Sequence, residues 1–311
     1  MSYNITKFKG LSIIQHLKLM WVIFWPNYLN RKLQIDTVLN PEETLDQVII
    51  YKKNLVRYGD GEFNIMLRHR GIRFQDYDSN LSEELARPFQ TDMDNIILAV
   101  PHGFVTTKPD KLEIKAFWWH YIAKNGVGFA DFLRKNKPAE PFVFGDASLT
   151  RTVIEMRDKK RVRKIVEKIP EIWHERDVLI IEGAGTDFGI GNDLFDNAQT
   201  VTRIEAKSRN AYDDVDEIME TTTKFAKDKK NLVVIIALGP TASVLAYRLA
   251  NKDIWAVDLG HFDLQYEYLR KGAFKRVKTK RRDNELGSLG LGKLKLENVL
   301  VDLSKEKIHD A

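Results

Sequence analysis

Residues 232–243 of this chain read LVVIIALGPTAS. The first seven residues, 232–238, form an unbroken apolar run rich in β-branched side chains, which is typical of a strand buried on both faces. Gly239 ends the run, and Pro240 in a first helical turn followed by Thr241 indicates the start of a helix. A strand that leads through a tight turn into a helix is the repeating unit of a parallel sheet covered by helices.

The same alternation extends along most of the chain. Strands are predicted at 54–56, 95–100, 142–144, 178–182, 200–204, 232–238 and 254–258, and helices at 41–51, from Ser82, around 117–121, and at 212–227 and 241–251. Strands that alternate with amphipathic helices predict an α/β fold with a mostly parallel sheet and helices on both faces. Such sheets bind ligands at the carboxyl ends of their strands, so the residues that follow each strand are the candidates for function.

Composition sets further bounds. The chain has 311 residues, of which 43% are hydrophobic and 30% charged, so it is globular and long enough for one large or two modest domains. It contains no cysteine. That absence excludes disulfides, cysteine-ligated zinc and thiolate nucleophiles, and it fits a reducing compartment.

The net charge of +5 is unevenly distributed. Residues 1–35 and 269–282 contain lysines and arginines but no acidic residue, whereas the body between them is acidic. This pattern argues against a nucleic-acid partner, whose binding face would carry the basic charge. It favours a cytoplasmic protein at the inner face of the plasma membrane, with peripheral contacts through 1–35 and 269–282. Alternatively, 269–282 contacts an acceptor diphosphate or is a solvated linker.

Residues 11–25 form an apolar stretch that polar residues interrupt and Pro26 ends. The stretch is too short and too polar for a membrane span, and no small-residue cleavage site follows, which argues against a signal peptide. One interpretation is an interfacial helix with Trp21 and Trp25 at the headgroup level. The other is a helix that packs on the domain or on a second subunit of a homo-oligomer.

Residues 57–63, RYGDGEF, follow the first strand of the domain. Asp60 and Glu62 stand two residues apart, with Gly59 before them. Carboxylates at a strand end can converge on Mg²⁺ or Mn²⁺, the glycines allow close approach of a ligand, and Arg57 offers a fork for a phosphate. The alternative is a strand-to-helix turn with solvated acids.

Three further clusters follow later strands. The loop at 183–193 holds four glycines and leads to a predicted helix start, where free N–H groups favour phosphate, although a surface loop is an equal alternative. The turn at 239–241 offers a second such N-terminus or is simply a well-capped helix. His261, Asp263 and Glu267 follow the last strand and could deprotonate an acceptor hydroxyl, although a histidine there is more often structural.

Taken together and in order, these motifs resemble the GT-D-type glycosyltransferase family. The matching stretches are RYGDGE at 57–62, EG at 182–183 with GNDLF at 191–195, NAY at 210–212, ALGPTA at 237–242, and GHFD at 260–263 with YEY at 266–268. Each motif is modest alone, but five in this order are specific, and they extend over roughly residues 40–285.

The resemblance implies a Rossmann-like fold for a catalytic domain that we place at 36–285. The sequence pattern itself predicts the N-terminal helix at 1–35 and the short appendage at 286–311. It implies a nucleotide-sugar donor, UDP-linked, and a glycan, lipid-linked or glycoprotein acceptor. Asp60 and Glu62 match the family's metal motif, and His261, Asp263 and Glu267 match its acidic C-terminal motif, where a base is expected. The expected donor-binding residues are Arg57, Gly59, Arg151, Gly183, Gly191, Asn192, Asp193, Asn210, Gly239 and Thr241.

One departure concerns Thr186 and Asp187, which stand where family members often carry a Ser-Arg pair. If that arginine contacts the diphosphate, Arg151 or Arg203 is the candidate to replace it. Two other functions use the same residues differently: a nucleotide-sugar hydrolase or phosphotransferase with the same metal site, and a non-catalytic scaffold with basic ends.

Overall fold

The computed structural model describes residues 37–91, 93–136, 142–279 and 297–302, together with Ile14, Leu17 and Met20, which are helical and exposed. Its strands are β1 (Thr37–Val38), β2 (Asn54–Arg57), β3 (Ile96–Val100), β4 (Val143–Asp146), β5 (Asp177–Gly183), β6 (Thr200–Ala206), β7 (Leu232–Ala237), β8 (Ala256–Asp258) and β9 (Glu297–Asp302). Its α-helices are α1 (Pro41–Ile49), α2 (Asp60–Arg68), α3 (Ser79–Ala86), α4 (Leu112–Asn136), α5 (Thr152–Glu155), α6 (Lys159–Lys168), α7 (Val215–Ala226), α8 (Pro240–Ala250) and α9 (Phe262–Arg270).

The strands form one sheet in the order β1-β4-β3-β2-β8-β7-β5-β6-β9. Every neighbouring pair is parallel except β6 and β9, which run antiparallel. Consecutive parallel strands need crossover connections, and helices supply them except between β5 and β6, which a loop of turns connects. The predicted α/β fold with a mostly parallel sheet is therefore confirmed, and residues 297–302 of the predicted appendage add the antiparallel edge strand.

Hydrophobic cores cover both faces of the sheet. Along β5, Leu179 and Ile181 belong to one cluster and Val178 and Ile180 to the other, because successive strand residues point to opposite faces. The first cluster takes in side chains from α2, α3, α4, α7 and α8, and the second takes in those from α1, α5, α6 and α9. This double covering explains why the strands of the sequence read as continuous apolar runs.

Two predicted details differ from the structure. The third helix starts at Ser79 with Asp78 as its N-cap, whose Oδ1 accepts a hydrogen bond from Leu81 N at 2.8 Å, so Ser82 lies inside the helix. The loop after Gly183 leads through turns directly into β6 and starts no helix. Its apolar residues Phe188 and Leu194 are buried in the core, which keeps the chain folded back on the domain.

The interpretation of 1–35 as an interfacial or packing helix lies outside the described residues, apart from the three named above. Within the part of the chain that the structure describes, no helix is both long and apolar enough to cross a membrane.

Candidate active site

The predicted clusters meet at the carboxyl edge of the sheet. β2 ends at Arg57, β8 at Asp258 and β7 at Ala237, and β8 lies between the other two. β2 is followed by residues 59–62, β7 by residues 239–241 and β8 by residues 259–263. The structure therefore brings the predicted metal motif, the predicted phosphate turn and the C-terminal motif to neighbouring strand ends, where a parallel sheet binds its ligands.

Asp60 and Glu62 lie in the first turn of α2. Gly59 is the N-cap and has no side chain, so Glu62 reaches back and its Oε2 accepts a hydrogen bond from Gly59 N at 2.6 Å. Asp60 is exposed and Glu62 is half-buried. Both carboxylates are thus placed at the helix end that carries partial positive charge.

The electrostatics of this turn suit a cation. Burial raises the pKa of Glu62 to about 7, and the negative charges of Asp258 and Asp60 add to the effect. Among the described residues, no group of three or more His, Asp or Glu side chains is arranged to hold a metal ion. Two carboxylates with the remaining positions left to substrate phosphates and water are the usual protein contribution to a Mg²⁺ site, so the residues present fit such an ion.

Arg57 was expected to offer its guanidinium to a phosphate, but the structure directs it into the protein. Its Nε and Nη2 donate to the backbone O and Oδ1 of Asp258 at 2.8 and 3.0 Å. Its Nη1 donates to Ala147 O at 3.1 Å and Thr150 Oγ1 at 2.9 Å. These bonds use four of the five N–H donors of the side chain. Arg57 therefore joins the ends of β2 and β8 to the segment that follows β4.

Asp258 is a site residue that the sequence prediction missed. It is the last residue of β8, is only 3% exposed, and accepts a hydrogen bond from Gly260 N at 2.9 Å. Burial raises the pKa of its carboxyl, while Arg57 acts in the opposite direction. A carboxylate as the final residue of an otherwise apolar strand was the available signal, because an acid at a buried strand end needs a partner.

Gly260 is required where the chain leaves β8. Its φ is +50°, and a Cβ at this position would lie 2.2 Å from Nη2 of Arg57. The absent side chain therefore allows the arginine to lie against the backbone beside Asp258.

The predicted base residues lie on or just before α9. His261 is the N-cap residue and is half-buried, while Asp263 in the first turn is 4% exposed. Glu267 lies about 6 Å farther along the helix and has Lys271 Nζ at 3.7 Å from its Oε2. His261 and Asp263 are thus held near the strand ends, whereas Glu267 lies one helical turn away from them.

The glycine-rich loop after β5 is folded onto a buried ion pair. Glu182, the residue before Gly183, pairs with Arg203 of β6 and accepts a hydrogen bond from Phe188 N at 2.7 Å. Arg203 also donates to Phe188 O at 2.6 Å. Because Arg203 is 4% exposed and paired, it is not available to a diphosphate. Of the two proposed substitutes for the missing loop arginine, Arg151 remains, half-exposed and bonded through Nε to Glu155 at 2.8 Å.

The far end of this loop is held by its own polar residues. Asn192 Oδ1 accepts a hydrogen bond from Leu194 N at 3.0 Å. Asp193 Oδ1 accepts hydrogen bonds from Tyr266 OH at 2.8 Å and Arg270 Nη1 at 2.6 Å, so it ties the loop to α9. Gly183 is buried and Gly191 is exposed.

The turn at 239–241 forms the N-terminus of α8 without a side-chain cap. Gly239 has φ of +56°, a conformation that glycine adopts without strain. Thr241 is fully buried, and its hydroxyl has no hydrogen-bond partner among the described residues. Ser243 Oγ donates to Arg57 O at 2.6 Å, which fixes α8 against the end of β2.

A buried histidine network supports the same edge from β3 and β4. His102 lies between two buried carboxylates, with Nδ1 2.8 Å from Asp146 Oδ2 and Nε2 2.8 Å from Asp110 Oδ1. Asp146, the last residue of β4, also accepts a hydrogen bond from Ser148 N at 2.9 Å and so orders the segment that Arg57 contacts. The two carboxylates raise the pKa of His102 well above its ordinary value despite burial, so the network holds an imidazolium.

Comparisons with known proteins agree with this architecture. The family described as "Glycosyltransferase GT-D fold" matches residues 55–285. The chain is 33% identical over 251 residues to glycosyltransferase GlyD of Streptococcus pneumoniae serotype 4, and 30% identical over 243 residues to a probable glycosyl transferase, Gly, of Streptococcus gordonii. Those matches cover 80% and 78% of this chain but 30% and 34% of the relatives, so the chain spans about a third of their length.

Solved structures show the same fold. One, described as a highly conserved domain of unknown function 1792 with a distinct glycosyltransferase fold, has a TM-score of 0.75 and 33% identity, and the match covers 83% of this chain and 90% of that one. Another, described as a new glycosyltransferase from Streptococcus sanguinis, has a TM-score of 0.69 and 30% identity, with 78% and 88% covered. The match over residues 55–285, supported by these structures, shows that this chain belongs to the GT-D glycosyltransferase family.

Proposed function

We propose that this chain transfers a sugar from a UDP-linked donor to a hydroxyl of a glycan, lipid-linked or glycoprotein acceptor, with a divalent cation held by Asp60 and Glu62. The observation that carries the proposal is the placement of these two carboxylates in the first turn of α2, beside Asp258 and at the carboxyl edge of the sheet. Family membership supplies the reaction class, and the donor, the metal and the acceptor are our inference.

The reaction requires neutralisation of charge on the leaving group and a base for the acceptor hydroxyl. Cleavage of the sugar–diphosphate bond leaves negative charge on the leaving group, and Mn²⁺ or Mg²⁺, when bound, would neutralise that charge. The N-termini of α2 and α8 add backbone N–H groups that favour an anion at the same edge. His261 or Asp263, which lie nearest the strand ends, would accept the proton of the acceptor hydroxyl.

The remaining partners also follow from charge and position. The basic segment 269–282 and residues 1–35 would meet anionic lipid at the inner face of the plasma membrane, where a lipid-linked or nascent glycan acceptor is available. A homo-oligomer through 1–35 is the alternative use of the N-terminal segment.

Neutralising the metal ligands tests the proposal. Asp60→Asn and Glu62→Gln should each lower the rate of sugar transfer from UDP-sugars by at least about a hundredfold, because the leaving-group charge would lose its counter-ion. Mn²⁺-dependent thermal stabilisation by a UDP-sugar should disappear in both variants. The matched control is Glu171→Gln, which removes an exposed acid beside the amino end of β5 and should leave both measurements unchanged.

Two outcomes would contradict the proposal. Full transfer activity in Asp60→Asn or Glu62→Gln after chelation would exclude the metal role. Indifference of the wild-type protein to every nucleotide sugar, with and without Mn²⁺, would exclude the donor and favour a non-catalytic role.

A further inference from the structure

After α2 the chain forms a short turn, residues 71–77. Ile72 and Gln75 pair across it, with Ile72 N donating to Gln75 O at 2.7 Å, which places Phe74 at the tip. A Cβ at Gly71 would lie 2.7 Å from Gln75 O, so the turn closes this tightly because residue 71 is glycine.

The turn contacts the first turn of α2 and the N-terminus of α8. A Cβ at Gly61, between the two metal-motif carboxylates, would lie 3.6 Å from the side chain of Ile72. A Cβ at Gly239 would lie 2.5 Å from Cε2 of Phe74, so the phenyl ring rests on the backbone at the N-terminus of α8. The turn therefore bridges the metal motif and the phosphate turn.

Residues outside the turn hold its tip in place. Asn210 N donates to Phe74 O at 2.9 Å, and the side-chain amide of Asn210 pairs with Asp76, its Oδ1 accepting from Asp76 N and its Nδ2 donating to Asp76 Oδ2, both at 2.8 Å. Arg209 Nη2 donates to the same carboxylate at 2.9 Å. Asn210 thus acts on this turn, and the ring of Phe74 stays 39% exposed although its backbone is fixed.

From these contacts we propose that Phe74 is the platform on which the base of the donor nucleotide stacks. The inference rests on the proposed nucleotide-sugar donor and adds the residue that recognises its nucleoside. α2 and α8 follow β2 and β7, which are two strand spacings apart, about 10 Å. A diphosphate held between the two helix N-termini places its nucleoside beside the tip of the turn.

The chemistry of the ring fits this role. A single exposed aromatic side chain is ordinary on a protein surface, so the exposure of Phe74 alone is not evidence for a binding role. The position of Phe74 is the stronger argument, because its ring lies against the N-terminus of α8. A diphosphate bound at that helix end would hold its attached nucleoside next to the ring. Stacking of a base on an aromatic ring is tolerant of sequence, so Phe74 would favour a nucleotide over a bare diphosphate rather than select one base.

Calorimetric titration with UDP and with pyrophosphate, both in Mn²⁺, tests the inference. Phe74→Ala should weaken UDP binding by about 5- to 150-fold, the effect of losing one base–aromatic stack. Pyrophosphate has the diphosphate without the base, so its affinity should not change. Phe74→Trp keeps a stacking face and should bind UDP at least as tightly as the wild type.

Two further variants separate stacking from packing. Phe74→Leu keeps an apolar side chain on Gly239 but has no aromatic face, so it should lose UDP affinity as Phe74→Ala does. Tyr51→Ala removes an exposed aromatic residue before the amino end of β2 and should leave UDP binding unchanged. Thermal unfolding of each variant checks that the domain remains folded.

Unchanged UDP affinity in Phe74→Ala, wild-type affinity in Phe74→Leu, or an equal loss of UDP and pyrophosphate would each overturn the role of Phe74 while the proposed donor stands. A wild-type protein that binds pyrophosphate but gains nothing from the uridine would overturn it too. Failure of the wild type to bind either ligand would instead remove the proposed function and this inference with it.

Discussion

Arg57 has a role that its sequence motif does not reveal. The sequence predicts that Arg57, which precedes a carboxylate pair, binds a phosphate. The structure instead shows four hydrogen bonds from Arg57 to Asp258, Ala147 and Thr150. Asp258 lies 201 residues away along the chain. Pairs of this kind depend on which strands become neighbours in the sheet, and that information is not present in local spacing.

Arg57→Lys tests the positioning role. Lysine keeps the charge but has no planar fork, so it cannot serve acceptors on both Asp258 and the 147–150 segment. Because the lost hydrogen bonds are partly buried, and one of them is an ion pair, we expect a loss of about 2 kcal/mol in the free energy of unfolding. Urea unfolding of the two proteins measures the difference, and equal stability would show that the fork is dispensable.

His102 makes the free energy of unfolding depend on pH. Its pKa is raised above the ordinary value because Asp146 and Asp110 flank both ring nitrogens. Glu155 lies near enough to interact with the imidazolium, and burial raises the pKa of Glu155, which Arg151 beside it counteracts. A group whose pKa is higher in the folded state than in the unfolded state stabilises the folded protein. This contribution is complete at pH values below the unfolded pKa, and it is lost as the pH rises through the folded pKa.

His102→Gln should therefore destabilise most at about pH 6, by about 3–5 kcal/mol, because two buried carboxylates lose their cation. The difference between wild type and variant should shrink as the pH is raised into the alkaline range, since the wild-type histidine then loses its proton. Denaturant unfolding over that range measures it. A difference that is constant with pH would mean that residue 102 contributes by packing alone.

At the scale of elements, the local sequence predicted the strands and helices whose bounds are set by local interactions. The buried strands and the helices at α1, α7 and α8 were placed within a few residues, because hydrophobic runs, caps and prolines act over one or two turns. The loop after β5 was predicted wrongly as the approach to a helix. Its course depends on the pair between Glu182 and Arg203, which lie on neighbouring strands, and on burial of Phe188.

Removal of one partner of that pair should lower the free energy of unfolding of the domain. Arg203→Met leaves the carboxylate of Glu182 buried without a cation and is expected to cost about 3–5 kcal/mol. The double variant Glu182→Gln/Arg203→Met removes the charge altogether and should be more stable than Arg203→Met. Chemical unfolding of Arg203→Met, Glu182→Gln and the double variant completes a double-mutant cycle, and strictly additive losses would show that the two side chains do not depend on each other.

At the scale of the whole molecule, the fold class and the edge that carries the site followed from the alternation of strands and helices, because both are properties of the overall pattern. The contacts between residues within the site could not be predicted from this pattern. Asp258, Phe74 and the His102 network acquire their roles from residues far away in sequence, and the same is true of the basic surface.

That basic surface is larger than the sequence indicated. The segment after α9 is attached to α6 through Phe274, whose ring has Lys159 Nζ 5.0 Å and the Arg163 guanidinium 5.4 Å from its centroid, and whose carbonyl accepts a hydrogen bond from Lys111 Nζ at 2.6 Å. α6 therefore adds exposed lysines and arginines to those of 269–279 on one side of the molecule.

If this surface meets anionic lipid, α6 must contribute to binding. Lys160→Glu/Lys164→Glu reverses two exposed charges on α6 and should weaken binding to vesicles that contain phosphatidylserine by at least about tenfold. The matched control Lys230→Glu/Lys252→Glu makes the same charge change beside the amino ends of β7 and β8 and should bind like the wild type. Wild-type binding should also fall steeply as salt is raised, because exposed charges are screened within about 10 Å at 0.1 M salt. Equal weakening in both double variants would mean that only net charge matters, and no binding by the wild-type protein would remove the lipid surface as its partner.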